Sequence, residues 1–297
     1  MIGKKNILGV GITDATQKEV LEYIVKNLQN SGKKLFVVTP NPEFLVLADK
    51  NIKFKNVLNK SDLASPDGIG ILVAARFVGK PLKERFAGVD LVESLCKVVE
   101  EKPITVGFLG GKGGVAEMTS ECLRKKYPGL KVAFVGEEWS NDSLAGPVGL
   151  HPRPTSSVTP FPSGARRGSP APATRLNPSL DAVGNPPPIT ALNNQHFNNS
   201  TIRQSSKKNS IDILFVAFGA PKQEFWINEN LDKIPVKVAI GVGGAFDYIS
   251  GKVPRAPSFI RGIGLEWLFR LMIQPWRTKR QLSLLQFIAL VLKEKLS

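Results

Sequence analysis

Ile213-Leu214-Phe215-Val216-Ala217-Phe218, followed by Gly219-Ala220-Pro221-Lys222-Gln223-Glu224-Phe225-Trp226, is the stretch that decides the fold. An unbroken apolar run of strand length, with no polar alternation, describes a strand covered on both faces, as in a parallel sheet with helices above and below. Gly219 closes the strand, and Pro221 with polar side chains behind it opens a helix. Glu224 suits the helix dipole there while Lys222 opposes it. That mismatch points to a nearby anion, although a well-made helix N-terminus would read the same way.

The same strand–turn–helix unit recurs outward in both directions. Strands are expected at about 7–12, 34–38, 62–65, 104–109, 131–135, 211–217 and 236–241. Helices are expected at about 15–31, 42–50, 68–78, 90–101, 114–126, 221–231, 257–273 and 278–295. This alternation predicts an α/β fold, a Rossmann-like, doubly wound and mainly parallel sheet that binds its ligand at the carboxyl ends of the strands.

The chain has 297 residues, enough to bury a large core, and excludes a disulfide-stapled miniprotein. Its 40 Lys plus Arg against 25 Asp plus Glu leave a net charge of +15. Such a surface expects an anionic partner: nucleic acid, a phosphorylated ligand or a membrane. The two cysteines, Cys96 and Cys122, have neither CxxC spacing nor histidines nearby, which fits a reducing cytoplasm. The apolar run after Met1-Ile2-Gly3-Lys4-Lys5 is short and meets Thr13-Asp14, so it reads as a strand and not a signal peptide. No stretch approaches the roughly 18 apolar residues of a membrane span, so membrane contact is expected to be peripheral.

Residues 140–209 break the pattern, with 11 of the 22 prolines and only 12 Leu, Ile, Val or Phe. Too little apolar area is available there to offset chain entropy, so this insert is expected to be disordered. Both histidines, His151 and His196, lie inside it, away from any catalytic centre. The division is then an α/β catalytic domain over 1–139 and 210–251, the insert, and a basic helical appendage over 252–297. That appendage holds nine basic and two acidic side chains among Trp267, Leu268, Phe269, Trp276 and Phe287. Its composition suits an anionic lipid surface or a lipid-linked phosphate better than base reading. Arg277 and Arg280 share a helix face by spacing, while Pro275 interrupts the register back to Arg270.

Four loops could carry chemistry. In Thr39-Pro40-Asn41-Pro42-Glu43, Asn41 can cap the helix that Pro42 begins. In Pro66-Asp67-Gly68, Asp67 is either a cap or a general base beside an anionic ligand. Gly110-Gly111-Lys112-Gly113-Gly114 can hold a phosphate on backbone N–H groups or simply allow tight strand-to-helix packing. It begins a loose dinucleotide match, without an acidic ribose ligand downstream. Gly241-Val242-Gly243-Gly244-Ala245-Phe246-Asp247 repeats the theme, and two such turns on one sheet favour a nucleotide-type ligand.

Taken in order, Thr39-Pro40-Asn41, Pro66-Asp67-Gly68, Arg85-Phe86-Ala87-Gly88-Val89-Asp90, Gly110-Gly111-Lys112, Phe218 to Glu224, and Gly241 to Asp247 resemble the WecG/TagA/CpsF glycosyltransferases, of TagA type. The resemblance covers about 1–139 and 210–297, and the 140–209 insert departs from it. It implies inverting transfer of N-acetylmannosamine from its UDP donor to undecaprenyl-diphosphate-linked N-acetylglucosamine, forming a β-1,4 bond in wall teichoic acid synthesis. Relatives with other donor sugars, or a nicotinamide-dependent oxidoreductase on the same sheet, are the alternatives.

Inversion asks for a base on the acceptor hydroxyl and charge stabilisation at the departing diphosphate. Asp67 is the expected base. Thr39, Asn41, Arg85, Asp90, Gly111 and Gln223 are expected to bind substrate, with Arg270, Arg277 and Arg280 closing from the tail. Lacking an Asp-x-Asp pair, the chain is expected to need neither metal nor cofactor. The expected partners are the UDP-sugar donor, the undecaprenyl-diphosphate-linked acceptor, an anionic membrane reached through the tail, and a second copy in a homo-oligomer, with no nucleic acid. The expected location is cytoplasmic, peripheral on the inner face of the membrane.

Overall fold

The computed structural model describes residues 2–30, 32–137, 211–262, 264–275 and 278–296. In chain order these form β1 (Lys4–Ile7), β2 (Val10–Thr13), α1 (Gln17–Asn30), β3 (Leu35–Val38), α2 (Pro42–Lys50), α3 (Ile52–Lys60), β4 (Leu63–Ala64), α4 (Ile69–Phe77), α5 (Gly88–Val99), β5 (Thr105–Gly110), α6 (Val115–Lys126) and β6 (Lys131–Gly136). Then follow β7 (Ile211–Ala217), α7 (Lys222–Asn230), β8 (Val236–Gly241), α8 (Ala245–Ile249), α9 (Ser258–Gly262), α10 (Glu266–Ile273) and α11 (Thr278–Leu296). The insert expected at 140–209 lies outside the described residues.

Every residue of β7 is buried, as its unbroken apolar run requires of a strand deep inside a sheet. The main sheet has six strands in the order β4-β3-β8-β7-β5-β6, and all its pairings are parallel. Alternate strand residues Leu35, Val37, Val106, Phe108, Ile213, Phe215, Val238 and Ile240 enter one core with side chains of α1, α5, α6 and α8. Phe108 stands at its centre, 5.6 Å from Phe215 and 5.7 Å from Phe246 between ring centroids. The intervening residues point to the opposite face. On α2, α3 and α7 the rings of Phe44, Phe54 and Phe225 form a chain at 5.7 and 5.9 Å. The result is the doubly wound, Rossmann-like architecture. Asp212, the one polar residue of β7, is satisfied by the Thr105 backbone N–H at 2.8 Å and by Lys237 at 2.8 Å. Truncating Phe215 to alanine is expected to destabilise the protein by about 3–5 kcal/mol, read from the shift of its denaturant midpoint.

Three local readings need correction. The strand expected at 7–12 is an antiparallel hairpin of β1 and β2, outside the main sheet, because the apolar run contains the two-residue turn Leu8-Gly9. Helix α3 was not expected. Asn51 caps it by accepting from the Phe54 backbone N–H, and Phe54, Val57 and Leu58 form its buried stripe between exposed lysines. The helix expected at 257–273 is two helices, parted at Gly264. There φ is +79°, and a Cβ would lie 2.5 Å from Ile69 Cγ2, so the backbone turns where only glycine fits.

The C-terminal helices are fastened to this body. Helix α11 packs along α2 and α4, with Phe287 and Val291 buried. Glu294 accepts from the Leu8 backbone N–H at 2.7 Å and pairs with Lys80 at 2.9 Å, while Lys50 donates to Gln286 at 2.6 Å.

Candidate active site

The carboxyl ends of β3, β4, β7 and β8 open into a cavity of about 370 Å³. Its floor is formed by Thr39, Asn41, Asp67, Arg85, Gln223 and the 242–245 turn, and its roof by Glu266, Trp267, Arg270 and Leu271 of α10 with Ser283 and Leu284 of α11. This lies at the carboxyl ends of the parallel strands, the side on which such sheets bind their ligands.

The floor is laced together before any ligand arrives. Thr39 donates its hydroxyl to the Gly241 carbonyl at 2.9 Å, joining the ends of β3 and β8. The Asp67 backbone N–H donates to the Pro40 carbonyl at 2.8 Å, and Ser65 donates to the Phe86 carbonyl at 2.9 Å. Gly88 approaches so closely that a Cβ there would lie 3.2 Å from the Val242 carbonyl oxygen and 3.4 Å from the Thr39 hydroxyl. Asn41 is the cap of α2, accepting from the Phe44 backbone N–H at 3.2 Å, and it also lines the cavity.

Asp67 does not cap α4; Gly68 occupies that position. Its carboxyl is pushed up to about 6, first by withdrawal from water and then by the charge of Glu266, against the opposing pull of Arg85 and the Gly88 backbone N–H; Asp90 adds a smaller upward push. A carboxylate of that basicity, on a cavity wall, can take a proton near neutral pH. Arg85 shares the cavity, and its guanidinium lies 3.7 Å from Glu266. Arg270 reaches in from the roof, stacked 4.6 Å from the centre of the Tyr248 ring and close above Gly244. Two cationic groups and one base-strength carboxylate therefore face a single space, bounded on its apolar side by Pro42, Phe44, Leu47 and Val89.

Gln223 is fully buried and organises two of the loops. Its side-chain oxygen accepts from the Gly219 backbone N–H at 3.2 Å and from the Gly243 backbone N–H at 3.0 Å.

The structure brings together Asp67, Thr39, Asn41, Arg85, Gln223 and Arg270. It places two expected residues elsewhere. Asp90 does not line the cavity; it pairs with Arg255 at 2.7 Å, and Arg255 also meets Glu266 at 3.3 Å. Its carboxylate helps to anchor the chain that leads to the roof. Gly111 lies in the β5–α6 turn, away from the cavity, where its backbone N–H donates to the Ala217 carbonyl at 3.2 Å. The Gly114 backbone N–H in that turn is taken by Glu137; close packing at Gly110 and Gly111 and left-handed backbone at Gly113 and Gly114 account for these glycines, and the dinucleotide reading loses its support. Arg277 and the Arg280 side chain lie outside the described residues. Glu266, Trp267 and Tyr248 were not expected in the site; they converge only through long-range packing, although Glu266 and Trp267 sit within the basic tail. Among the described residues, no cluster of three or more His, Cys, Asp or Glu is arranged to hold a metal ion.

A family model described as the glycosyl transferase WecG/TagA/CpsF family matches residues 5–143 and 173–297. Among curated proteins, the chain is 28% identical to the N-acetylglucosaminyldiphosphoundecaprenol N-acetyl-beta-D-mannosaminyltransferase of Bacillus spizizenii, over 98% of this chain and 91% of that one. It is 28% identical to the protein of the same name in Bacillus subtilis, over 93% and 86% of the two chains. A Staphylococcus aureus protein, again of that name, is 25% identical over 98% and 93%.

Proposed function

Because the chain belongs to the WecG/TagA/CpsF glycosyltransferase family, we propose that it transfers N-acetylmannosamine from UDP-N-acetylmannosamine to undecaprenyl-diphosphate-linked N-acetylglucosamine, a step of wall teichoic acid synthesis. The observation that carries this reading is the single cavity in which Asp67, with its raised carboxyl, shares walls with Arg85 and Arg270. The names of its relatives supply the transferred sugar and the lipid acceptor.

In the proposed reaction the acceptor hydroxyl oxygen attacks the anomeric carbon while its proton passes to the Asp67 carboxylate. The bond from that carbon to the diphosphate oxygen breaks on the far face, giving the inverted β-1,4 product. The electron pair leaves with UDP, whose growing charge is met by Arg85 and Arg270, with Arg277 and Arg280 adding charge from the tail. Thr39, Asn41 and Gln223 hold the loops in which this happens.

The roof suggests how the enzyme meets a lipid-linked acceptor. Leu268 and Met272 of α10 and Leu282, Leu285, Ile288 and Leu292 of α11 are exposed, and the basic residues of the tail accompany them. No described helix is long and apolar enough to cross a membrane. We propose that this face lies on the anionic inner leaflet, with the enzyme peripheral on the cytoplasmic side. When the roof is undocked, a second copy would cover the apolar surface it leaves.

UDP release from UDP-N-acetylmannosamine is expected to require the lipid-diphosphate N-acetylglucosamine acceptor and to survive excess chelator. Turnover with a different UDP-sugar alone would replace the donor, and a strict divalent-ion requirement would overturn the metal-independent leaving step.

A further inference from the structure

Glu224 is fully buried, yet it is not part of the cavity wall. It sits in the first turn of α7, where a carboxylate would ordinarily reach for solvent. One of its oxygens accepts from the Gln223 side-chain amide at 2.5 Å, and the other has no hydrogen-bond partner among the described residues. Burial also pushes its carboxyl up to about 7, against the Gln223 hydrogen bond.

The geometry of Gln223 gives this buried acid a purpose. A glutamine amide can be turned either way, and only one orientation places its oxygen toward the two backbone N–H groups of Gly219 and Gly243. In that orientation the amide nitrogen is buried and needs an acceptor. Glu224 is that acceptor. Without it the nitrogen would be left unsatisfied, and turning the amide would set its N–H groups against two backbone donors.

We propose that Glu224 is a positioning residue for the transfer reaction: it fixes the Gln223 amide, and through it the Gly219 and Gly243 loops that line the cavity. The proposal rests on the nucleotide-sugar reading for its effect on binding, but the positioning itself can be tested without any ligand.

The test uses the full chain with Glu224→Met, Glu224→Gln, Gln223→Met and the Glu224/Gln223 double methionine variant. Hydrogen exchange at the Gly219 and Gly243 amides reports on the loops, and calorimetry with UDP reports on the site. Glu224→Met is expected to lose protection at both amides, while the interiors of β7 and β8 keep theirs, and to weaken UDP binding about 10- to 100-fold. Glu224→Gln keeps an acceptor and is expected to retain both protections and UDP affinity. In the Gln223→Met background, adding Glu224→Met should cost less than about twofold more, because the residue acts through Gln223. Protected loops with unchanged UDP affinity in Glu224→Met would overturn the proposal, as would the same fold-loss in the Gln223→Met background. If Glu224→Met does not fold, Glu224→Gln alone decides, and lost protection at Gly219 and Gly243 in it would overturn the assignment. Wild-type protein that fails to bind UDP would refute the donor reading, and the exchange data would still decide the role of Glu224.

Discussion

Asp67→Asn is expected to slow sugar transfer by about 10²- to 10⁴-fold while leaving the protein folded. The amide keeps the size of the side chain but cannot take the proton of the acceptor hydroxyl. The wild-type rate should follow the ionised form of Asp67, so kcat/KM is expected to fall as the pH drops through about 6. The stability of the protein should move in the opposite direction. The folded-state carboxyl titrates above its ordinary value of 3.8, so its contribution to stability is complete below about pH 4 and is lost as the pH rises through about 6. Asparagine has no such dependence, and Asp67→Asn should be at least as stable as wild type at pH 7. Glu224 titrates in a neighbouring range and lowers stability in the same direction, but it is present in both proteins and drops out of their difference. Initial rates and denaturant midpoints from about pH 4.5 to 8 check both limbs. A mutant with near wild-type turnover, or a wild-type profile flat through pH 6, would remove Asp67 from the role of base.

The second large effect is expected at Arg270. Its replacement by alanine should lower kcat/KM for the nucleotide sugar by about 10²- to 10³-fold, as for other groups that meet charge developing on a leaving oxygen. Lysine should restore only part of this, because a point charge on a flexible stem lacks the planar fork and its stacking on Tyr248. The partner measurement is the dissociation constant for UDP, which should weaken in the same order: wild type, lysine, alanine. A loss below about fivefold in the alanine variant would mean that the roof contributes shape and not charge.

Much of this site could be read from the chain because its parts lie in short loops just after apolar strands. Asn41, Asp67 and Gln223 each follow a strand by a few residues, and the parallel sheet places those loops side by side. What could not be read depends on partners far away in sequence. Asp90 looks like a site residue until Arg255 is seen beside it, and Glu266 gains its place only when α10 folds back over Arg85. Glu224 reads as a surface acid at a helix start; its burial becomes visible only once α7 is packed against the sheet. The glycines among residues 110–114 show the converse, a phosphate-loop pattern spent on close packing at Gly110 and Gly111 and on a left-handed turn at Gly113 and Gly114. Helix α3 was hidden because lysines interrupt its short apolar stripe, although Asn51 three residues before Phe54 carried the signal.

The strand order β4-β3-β8-β7-β5-β6 divides the sheet unevenly. All the strand ends that feed the cavity belong to its first four members, whereas β5, α6 and β6 serve as scaffold. The residues that the family model leaves unmatched, between 143 and 173, come after β6 in the chain, and β6 is the strand at the scaffold edge of the sheet. Exchanging the apolar residues of β5 and β6 for others of equal volume should therefore leave the cavity walls in place.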